Sequence, residues 1–451
     1  MRFASGGPDC AAAYECDDPD DITDGGTCLA RCATAGSQAN SKHTTGAPPP
    51  PLRAPRARGG RFRFPIPHNS PLHLSSRMPT TIRRIGLLTG GGDCPGLNAV
   101  IRAVTKDALN TGLSVIGFRE GFRGLIENIA CELSYEDVSG ILHTGGTILA
   151  SHNKANPSRC VVGKNPDGSL QFADKTDDCL KHLKEHAVDA LVVVGGDGTM
   201  TIAAEMAARG VNVIGIPKTI DNDLYGTELT FGFLTAVQIA TDAIDRLRTT
   251  AESHHRIMVA EVMGRHAGWI ALFAGIASGS DIILLPELPF SFDSMLAAIK
   301  RRRARGANST IICVAEGARP RDGEQIVARV DPTSPDPIRL GGIGKVVADR
   351  LEDLTGIESR FCVLGHVQRG GTPVAADRIL GTRFGHHAMT LLKSGARSRM
   401  VAMQGIADSG LTDIDITIPA GKQRLVRVSS DGAPEHPLLA AARAVGTTFG
   451  V

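Results

Sequence analysis

Short apolar runs, each followed by a turn rich in glycine or acidic residues, are the feature that most limits how this chain can fold. Residues 190–194 and 213–216 are uninterrupted apolar runs, the pattern of strands that are covered on both faces. Longer segments separate such runs, as crossover connections between parallel strands require. The pattern predicts an α/β chain with more than one parallel sheet, with ligands at the carboxyl ends of the strands. The other predicted strands are residues 85–89, 115–118, 257–261, 282–286 and 311–315.

Two of the turns carry acidic residues in a pattern suited to phosphate chemistry. The first is Gly195-Gly196-Asp197-Gly198-Thr199, and the second, about twenty residues later, is Pro217-Lys218-Thr219-Ile220-Asp221-Asn222-Asp223. Either motif alone is typical of an ordinary tight turn, because Gly, Asn and Asp favour turns. A phosphate-binding turn and an acidic loop this close together indicate phosphoryl transfer.

A third glycine-rich loop, Gly90-Gly91-Gly92-Asp93, follows the first predicted strand and opens a helix. Glycines let the backbone approach a phosphate, and the amino end of a helix favours anions. A plain dinucleotide-binding loop is the alternative, but its Gly-x-Gly-x-x-Gly pattern is not well met here.

The composition argues against several other classes of protein. The 451 residues suggest two or three domains, and 42% hydrophobic residues can bury a sizeable core. A net charge of +2 gives no reason to expect nucleic acid or a membrane surface as a partner. No apolar run approaches the roughly 20 residues of a membrane span. The ten cysteines lack a standard zinc spacing and are typical of reduced thiols in a cytoplasmic protein.

Residues 1–78 differ from the rest of the chain. They are rich in Ala, Gly, Pro and Ser, and such a composition cannot bury enough apolar area to offset chain entropy. We predict that this segment is a disordered extension, or that Met78 is the true start of the protein.

The remaining motifs make a family recognisable. In chain order they are Gly145-Gly146-Thr147, Glu261-Val262-Met263-Gly264-Arg265, Ala315-Glu316-Gly317 and Leu364-Gly365-His366-Val367-Gln368-Arg369-Gly370-Gly371. Together with the three loops above, they resemble the 6-phosphofructokinases, which phosphorylate fructose 6-phosphate. The resemblance runs from about Thr81 to at least Arg383. It implies two Rossmann-like lobes with mainly parallel sheets: a donor lobe of residues 79–231 plus about 368–418, and a sugar-phosphate lobe of about 232–367 plus the C-terminal segment.

The resemblance also implies catalytic and donor-site roles. Asp221 would be the general base that takes the proton of the sugar's 1-hydroxyl, supported by Asp223, and an ionised carboxylate is a suitable acceptor. Asp197 would hold Mg²⁺ on the donor phosphates. Thr219 would contact the transferring phosphate and Arg265 would neutralise its charge. The remaining donor-site residues would be Gly92, Gly196, Gly198, Thr199 and Lys154, the last in place of an arginine found in many relatives.

A sugar-phosphate site is implied as well. Arg256 and Arg360 resemble arginines that reach the sugar's 6-phosphate from a neighbouring subunit, and guanidinium suits phosphate through its bidentate geometry. A homotetramer or homodimer is therefore expected. The other residues expected to bind the sugar are Thr219, Asp221, Met263, Gly264, Arg265, Glu316, His366 and Arg369.

Donor choice rests on Gly198 and Lys218. Family members that use ATP often have two glycines at these positions, and those that use pyrophosphate typically have aspartate and lysine. The glycine–lysine pair resembles an ATP-using branch, so ATP is the predicted donor and pyrophosphate the alternative. A catalytically dead regulatory subunit is disfavoured because Asp197, Asp221, Asp223 and Arg265 are all present. Lipid and NAD kinases also use a Gly-Gly-Asp-Gly loop, but the motifs at 217–223 and 364–371 argue against them. Arg102 and Arg248 resemble effector-site arginines, but the segment 305–308 lacks the lysines that complete that site, so control by the usual effectors is not expected.

Overall fold

The computed structural model describes residues 82–331, 337–405, 410–429 and 434–451. The prediction made for residues 1–78 lies outside these ranges. The strands are β1 (Arg84–Thr89), β2 (Ser114–Phe118), β3 (Ala130–Glu132), β4 (Cys160–Lys164), β5 (Leu170–Ala173), β6 (Ala190–Gly195), β7 (Val213–Pro217), β8 (Ile257–Val262), β9 (Ile282–Leu284), β10 (Thr310–Ala315), β11 (Val327–Val330), β12 (Ile338–Leu340), β13 (Ser359–Val363), β14 (Arg399–Met403) and β15 (Leu411–Asp415).

The helices alternate with these strands over much of the chain. They are α1 (Leu97–Asn110), α2 (Phe122–Glu127), α3 (Thr176–Glu185), α4 (Asp197–Ala208), α5 (Phe233–His254), α6 (Trp269–Ala277), α7 (Phe292–Ala304), α8 (Ile343–Thr355), α9 (Ala375–Lys393) and α10 (Pro437–Ala444). None of the helices in the described ranges is long and apolar enough to cross a membrane.

Two main sheets organise the fold. The larger sheet has the order β15-β14-β7-β6-β1-β2-β3, and the smaller has the order β13-β8-β10-β9. Neighbouring strands are parallel throughout the smaller sheet, and in the larger sheet only the edge strands β3 and β15 are antiparallel. The predicted α/β fold with more than one parallel sheet is therefore confirmed.

The strands that the sequence predicted are buried because helices cover both faces of each sheet. Every residue of β6, β7, β8 and β10 is buried, as their uninterrupted apolar character requires. One difference concerns β9, which ends at Leu284 rather than reaching residue 286. The largest apolar cluster draws residues from both sheets, so the two sheets share one core.

The strand order brings the three predicted loops to one edge of the larger sheet. β1 pairs with β6, and β6 with β7, so their carboxyl ends lie side by side. The chain leaves β1 towards β2 on one side, while β6 and β7 lie on the other side. This reversal of strand order creates a crevice, the usual ligand position in open α/β sheets.

Candidate active site

The first loop, after β1, is held open by backbone contacts. Gly90 N donates to the carbonyl of Val194 at 2.8 Å, and Gly91 N donates to the carbonyl of His152 at 3.2 Å. Ser151 Oγ donates to the carbonyl of Gly91 at 2.5 Å. Beside this loop lies a cavity of about 390 Å³, large enough for several phosphate groups, which is lined by Gly91, Gly92, Asp93, Thr147, Ser151, His152 and Asn153.

The second loop turns from β6 directly into α4. A Cβ at Gly195 would lie 2.3 Å from the Thr199 side chain, so only glycine permits this close turn. Asp197 is the first residue of α4, where unpaired backbone N–H groups also favour anions. Asp197 Oδ1 accepts a hydrogen bond from Gly421 N at 2.9 Å, and burial raises the pKa of Asp197.

The third loop, residues 218–223, follows β7 and is here called the catalytic loop. Asp221 N donates to Thr219 Oγ1 at 3.1 Å. Asn222 has a left-handed backbone, with φ of +53°, and its Oδ1 accepts a hydrogen bond from Thr230 N at 3.0 Å. This arrangement places Asp221 and Asp223 on either side of a fixed residue.

Asp221 has the environment of a proton acceptor. Its Oδ1 is shielded from solvent and has no hydrogen-bond partner in the part of the chain that the structure describes. Burial raises the pKa of Asp221, and the positive charges of Arg369, Lys218 and Arg265 oppose that rise. Burial, together with the negative charge of Asp221, raises the pKa of Asp223 to about 7.

Lys218 is buried beneath the first loop. Its Nζ donates to the carbonyl of Gly92, and its backbone N donates to the carbonyl of Gly195 at 2.9 Å. Burial lowers the pKa of Lys218. A surface lysine is a flexible cation, whereas these contacts fix Lys218 between two glycine loops.

The larger sheet and its three loops form one wall of the candidate site, and the smaller sheet contributes a second wall. Arg265 follows β8 in a left-handed conformation, with φ of +40°, and its backbone N donates to Glu316 Oε1 at 3.2 Å. A Cβ at Gly317 would lie 1.6 Å from the carbonyl oxygen of Arg265, so glycine is required there. Burial, followed by the charge of Asp221, raises the pKa of Glu316 to about 7. These two residues therefore lie in the electrostatic field of the catalytic loop.

The turn Gly365–Arg369, after β13, connects the two walls. The Arg369 guanidinium donates to the carbonyl of Asp93 at 3.1 Å, and thus reaches the first loop. Buried Gln368 accepts a hydrogen bond from Met263 N at 3.4 Å, which ties this turn to the end of β8. His366 lies on the exposed side of the same turn.

Arg256 and Arg360 lie at the opposite end of the smaller sheet. Arg256 precedes β8, and Arg360 pairs with Met258 near the amino end of the same strand. Arg256 Nε is 2.6 Å from Glu358 Oε2, and Arg360 pairs with Glu358 Oε1. A strand of six residues spans about 20 Å, so the structure does not bring these arginines to Asp221 of the same chain.

Lys154 lies next to the cavity lining, but its charge is already paired. Its Nζ is 3.0 Å from Asp331 Oδ2, just beyond β11. The expected donor-phosphate contact of Lys154 would have to compete with this carboxylate.

Some residues that shape the site gave no sequence signal. Arg424, Gly421 and Glu287 contact the catalytic loop, Asp197 and the start of α6, respectively. Arg424 and Gly421 lie about 200 residues after the loops they touch, outside any recognisable motif. Strand–turn patterns report only local structure, so such contacts were not predictable from them.

This arrangement is typical of an α/β phosphotransferase: glycine loops and a helix amino end for phosphates, an unpaired buried carboxylate, and cations from a second sheet. The phosphofructokinase family model matches residues 84–392. The chain belongs to the phosphofructokinase family, which confirms the resemblance inferred from the motifs, and it is an enzyme of the phosphotransferase type.

Named relatives include users of two different donors. The ATP-dependent 6-phosphofructokinase 2 of Clostridium perfringens is 50% identical over 374 residues, covering 82% of this chain and 100% of the relative. The pyrophosphate–fructose 6-phosphate 1-phosphotransferase of Amycolatopsis methanolica is 48% identical over 323 residues, covering 71% and 91%. Among solved structures, Pichia pastoris phosphofructokinase in the T-state matches with a TM-score of 0.64 and 31% identity, covering 78% of this chain and 39% of that chain.

Proposed function

We propose that the protein transfers the terminal phosphoryl group of Mg-ATP to the 1-hydroxyl of fructose 6-phosphate, giving fructose 1,6-bisphosphate and ADP. The observation that carries this proposal is Asp221 Oδ1, which is buried and has no partner among the described residues. Leaving such an acceptor unpaired is costly unless a substrate group binds it. A sugar hydroxyl fills that role, and the ionised carboxylate takes its proton as the phosphoryl group arrives.

Charge on the moving phosphoryl group would be neutralised from both walls. Arg265 and Arg369 come from the smaller sheet and Lys218 from the larger, and all three charges act on Asp221. Preorganised cations of this kind stabilise a transition state because they need no reorganisation during the reaction. Thr219 and the amino end of α4 would bind the same phosphate oxygens.

Asp197 fits a site for Mg²⁺ that is completed by the donor. Among the residues described, no group of three or more His, Cys, Asp or Glu side chains could hold a metal alone. Mg²⁺ commonly uses one or two carboxylates and takes its other ligands from phosphates and water. Asp197 would hold the ion at the amino end of α4, where a bound ion supplies charge neutralisation on the donor phosphates.

The sugar phosphate would bind across a subunit interface. Met263, Gly264, Glu316, His366 and Arg369 lie at the carboxyl ends of the smaller sheet or just beyond them, beside the catalytic loop. Arg256 and Arg360, at the other end, would serve the site of a neighbouring subunit. We therefore propose a dimer as the smallest active unit and a homotetramer as the full assembly, acting in the cytoplasm as a glycolytic enzyme.

Pyrophosphate is the second candidate donor. The fixed ammonium group of Lys218 and the named pyrophosphate-using relatives favour it. Gly198 favours ATP, because a Cβ built there meets no atom within 4 Å, which leaves open space at the start of α4. A nucleotide can use that space, whereas an aspartate would add a carboxylate beside the anionic donor.

A parallel assay with both donors tests the proposal. We expect the parent protein to turn over faster with Mg-ATP than with pyrophosphate when each donor is saturating. Gly198→Asp should lose activity with ATP far more than affinity for fructose 6-phosphate. Gly198→Ala is the matched control, since it adds bulk without charge and should keep most ATP activity. Faster turnover of the parent with pyrophosphate would overturn ATP as the donor.

A further inference from the structure

Residues 420–428 form a segment, here called the C-terminal strap, which runs beside the catalytic loop. Gly421 N donates to Asp197 Oδ1 at 2.9 Å, at the expected metal position. Further along, Gln423 forms an antiparallel bridge with Leu224. The strap therefore touches both the donor side and the residue that directly follows the catalytic loop.

The far end of the strap is anchored on the side of the smaller sheet. Val426 N donates to Glu287 Oε1 at 2.8 Å, and the same carboxylate accepts a hydrogen bond from Gly268 N at 3.0 Å, at the start of α6. Burial raises the pKa of Glu287 and these backbone hydrogen bonds oppose that rise. One carboxylate thus links the strap to the helix that begins at Trp269.

Arg424 makes the closest contacts between the strap and the catalytic loop. Its backbone N donates to the carbonyl of Asp223 at 2.6 Å, and its guanidinium donates to the carbonyl of Asn222 at 2.8 Å. The guanidinium lies 4.1 Å from the centre of the Trp269 ring, and Trp269 Nε1 donates to the carbonyl of Arg424 at 2.8 Å. Arg424 is therefore held by an aromatic ring on one side and holds two peptide groups on the other.

Those two peptide groups lie on either side of Asp223, in the backbone that follows Asp221. Asn222 has a left-handed backbone, and its side chain is bonded to Thr230 N at 3.0 Å and to the carbonyl of Glu228 at 3.3 Å. These contacts fix the side chain of Asn222 but not its carbonyl. Arg424 supplies the contact to that carbonyl, which joins Asn222 to Asp223.

The position of Arg424 also has an unfavourable contribution to the stability of the fold. Arg424 Nε is buried and has no hydrogen-bond partner in the described part of the chain. Burial lowers the pKa of Arg424 to about 10, so the side chain is still protonated at neutral pH. An unpaired buried N–H group destabilises a fold, so stability alone does not explain the residue.

We propose that Arg424 is a positioning residue for the catalytic loop, and that it acts by fixing the carbonyls of Asn222 and Asp223 and thereby the direction of the Asp223 carboxylate and the backbone that follows Asp221. The inference rests on the proposed phosphotransferase function. It assigns to the C-terminal strap a role in turnover rather than in substrate binding. Misplacement of a catalytic group by about 1 Å can cost about 10²-fold in rate.

The test uses the full-length protein with Arg424→Met, which keeps the length of the side chain and removes its donors and charge. We expect kcat to fall by about 10- to 100-fold while KM for both substrates stays within about threefold. The acidic limb of the kcat–pH profile should move to higher pH, because a positive charge near Asp223 is lost. Arg424→Lys should restore the pH limb more than it restores kcat, since lysine lacks the guanidinium fork. Arg427→Met, at an exposed position of the same strap, is the matched control.

A second readout does not depend on activity. Amide hydrogen exchange in a peptide that covers residues 218–224 should be faster in Arg424→Met than in the parent, and unchanged in Arg427→Met. If Arg424→Met does not fold, Trp269→Phe removes the 2.8 Å hydrogen bond to Arg424 and should cause the same changes in a weaker form. Unchanged exchange and unchanged kcat in the folded variants would overturn the inference. An inactive parent would instead overturn the proposed function, and the exchange result would still decide the role of Arg424.

Discussion

Asp221→Asn is expected to remove most turnover and, at the same time, to stabilise the folded protein near neutral pH. Asn cannot accept the proton of the sugar hydroxyl, and loss of a general base typically costs about 10²–10⁴-fold in rate. Because Asn keeps the size and most of the polarity of Asp, binding of fructose 6-phosphate should be largely preserved. These two effects would separate a catalytic carboxylate from a structural one.

The stability change follows from the raised pKa of Asp221 in the folded protein. The folded chain binds this proton more tightly than the unfolded chain does, so the ionised carboxylate destabilises the fold at any pH above the folded pKa. Each unit by which the pKa is raised corresponds to about 1.4 kcal/mol, or about 2 °C in Tm for a chain of this size. Below about pH 4, near the unfolded value, both states are protonated and the difference should vanish.

Two measurements check this prediction. A coupled assay of fructose 1,6-bisphosphate formation gives the turnover, and melting curves at pH 8 and below pH 4 give the stability difference. Asp322→Asn, at an exposed carboxylate, should change neither quantity. A variant at position 221 that keeps more than half the parent rate would refute the role as general base, and a lower Tm at pH 8 would refute the argument from burial.

Two further predictions concern the sugar site. Burial raises the pKa of Glu316 to about 7, so KM for fructose 6-phosphate should rise as the pH falls below that value. Glu316→Gln should flatten this part of the KM–pH profile relative to the parent. Parallel profiles of KM against pH for the two proteins would contradict the role of Glu316. Mixing inactive Arg256→Ala with inactive Asp221→Asn should restore activity, because in a mixed dimer one shared site carries both changes and the other carries neither. Active monomers in sedimentation experiments, or no recovery after subunit exchange, would rule out shared sites.

The fold was predictable from sequence because its central strands are buried on both faces. The sheet order and the two edge strands were not, because short edge strands such as β3 carry no apolar run and their pairing depends on distant residues. The hairpins β4–β5 and β11–β12 were missed for the same reason: their residues are mostly exposed.

The candidate site was predictable to the extent that its residues follow strands. Asp197 and Asp221 each follow a strand that the sequence predicts, and the pairing of β6 with β7 brings the ends of these two strands together. The environment of each side chain was harder to predict from the sequence. Lys218 could not be distinguished from a flexible surface lysine, because its burial depends on Gly92, more than a hundred residues earlier in the chain.

The geometry of the smaller sheet would allow one chain to carry parts of two sites. Its parallel strands have their carboxyl ends beside the catalytic loop, where Glu316 and Arg265 lie, and their amino ends about 20 Å away, where Glu358 holds Arg256 and Arg360 together. A hydrogen bond from Arg256 lowers the pKa of Glu358, so the pair of arginines is preorganised but only partly neutralised. A phosphate group carries enough negative charge to bind such a pair, and no phosphate bound there could place its sugar against Asp221 of the same chain. The geometry therefore favours a second subunit, whose catalytic loop would face these arginines.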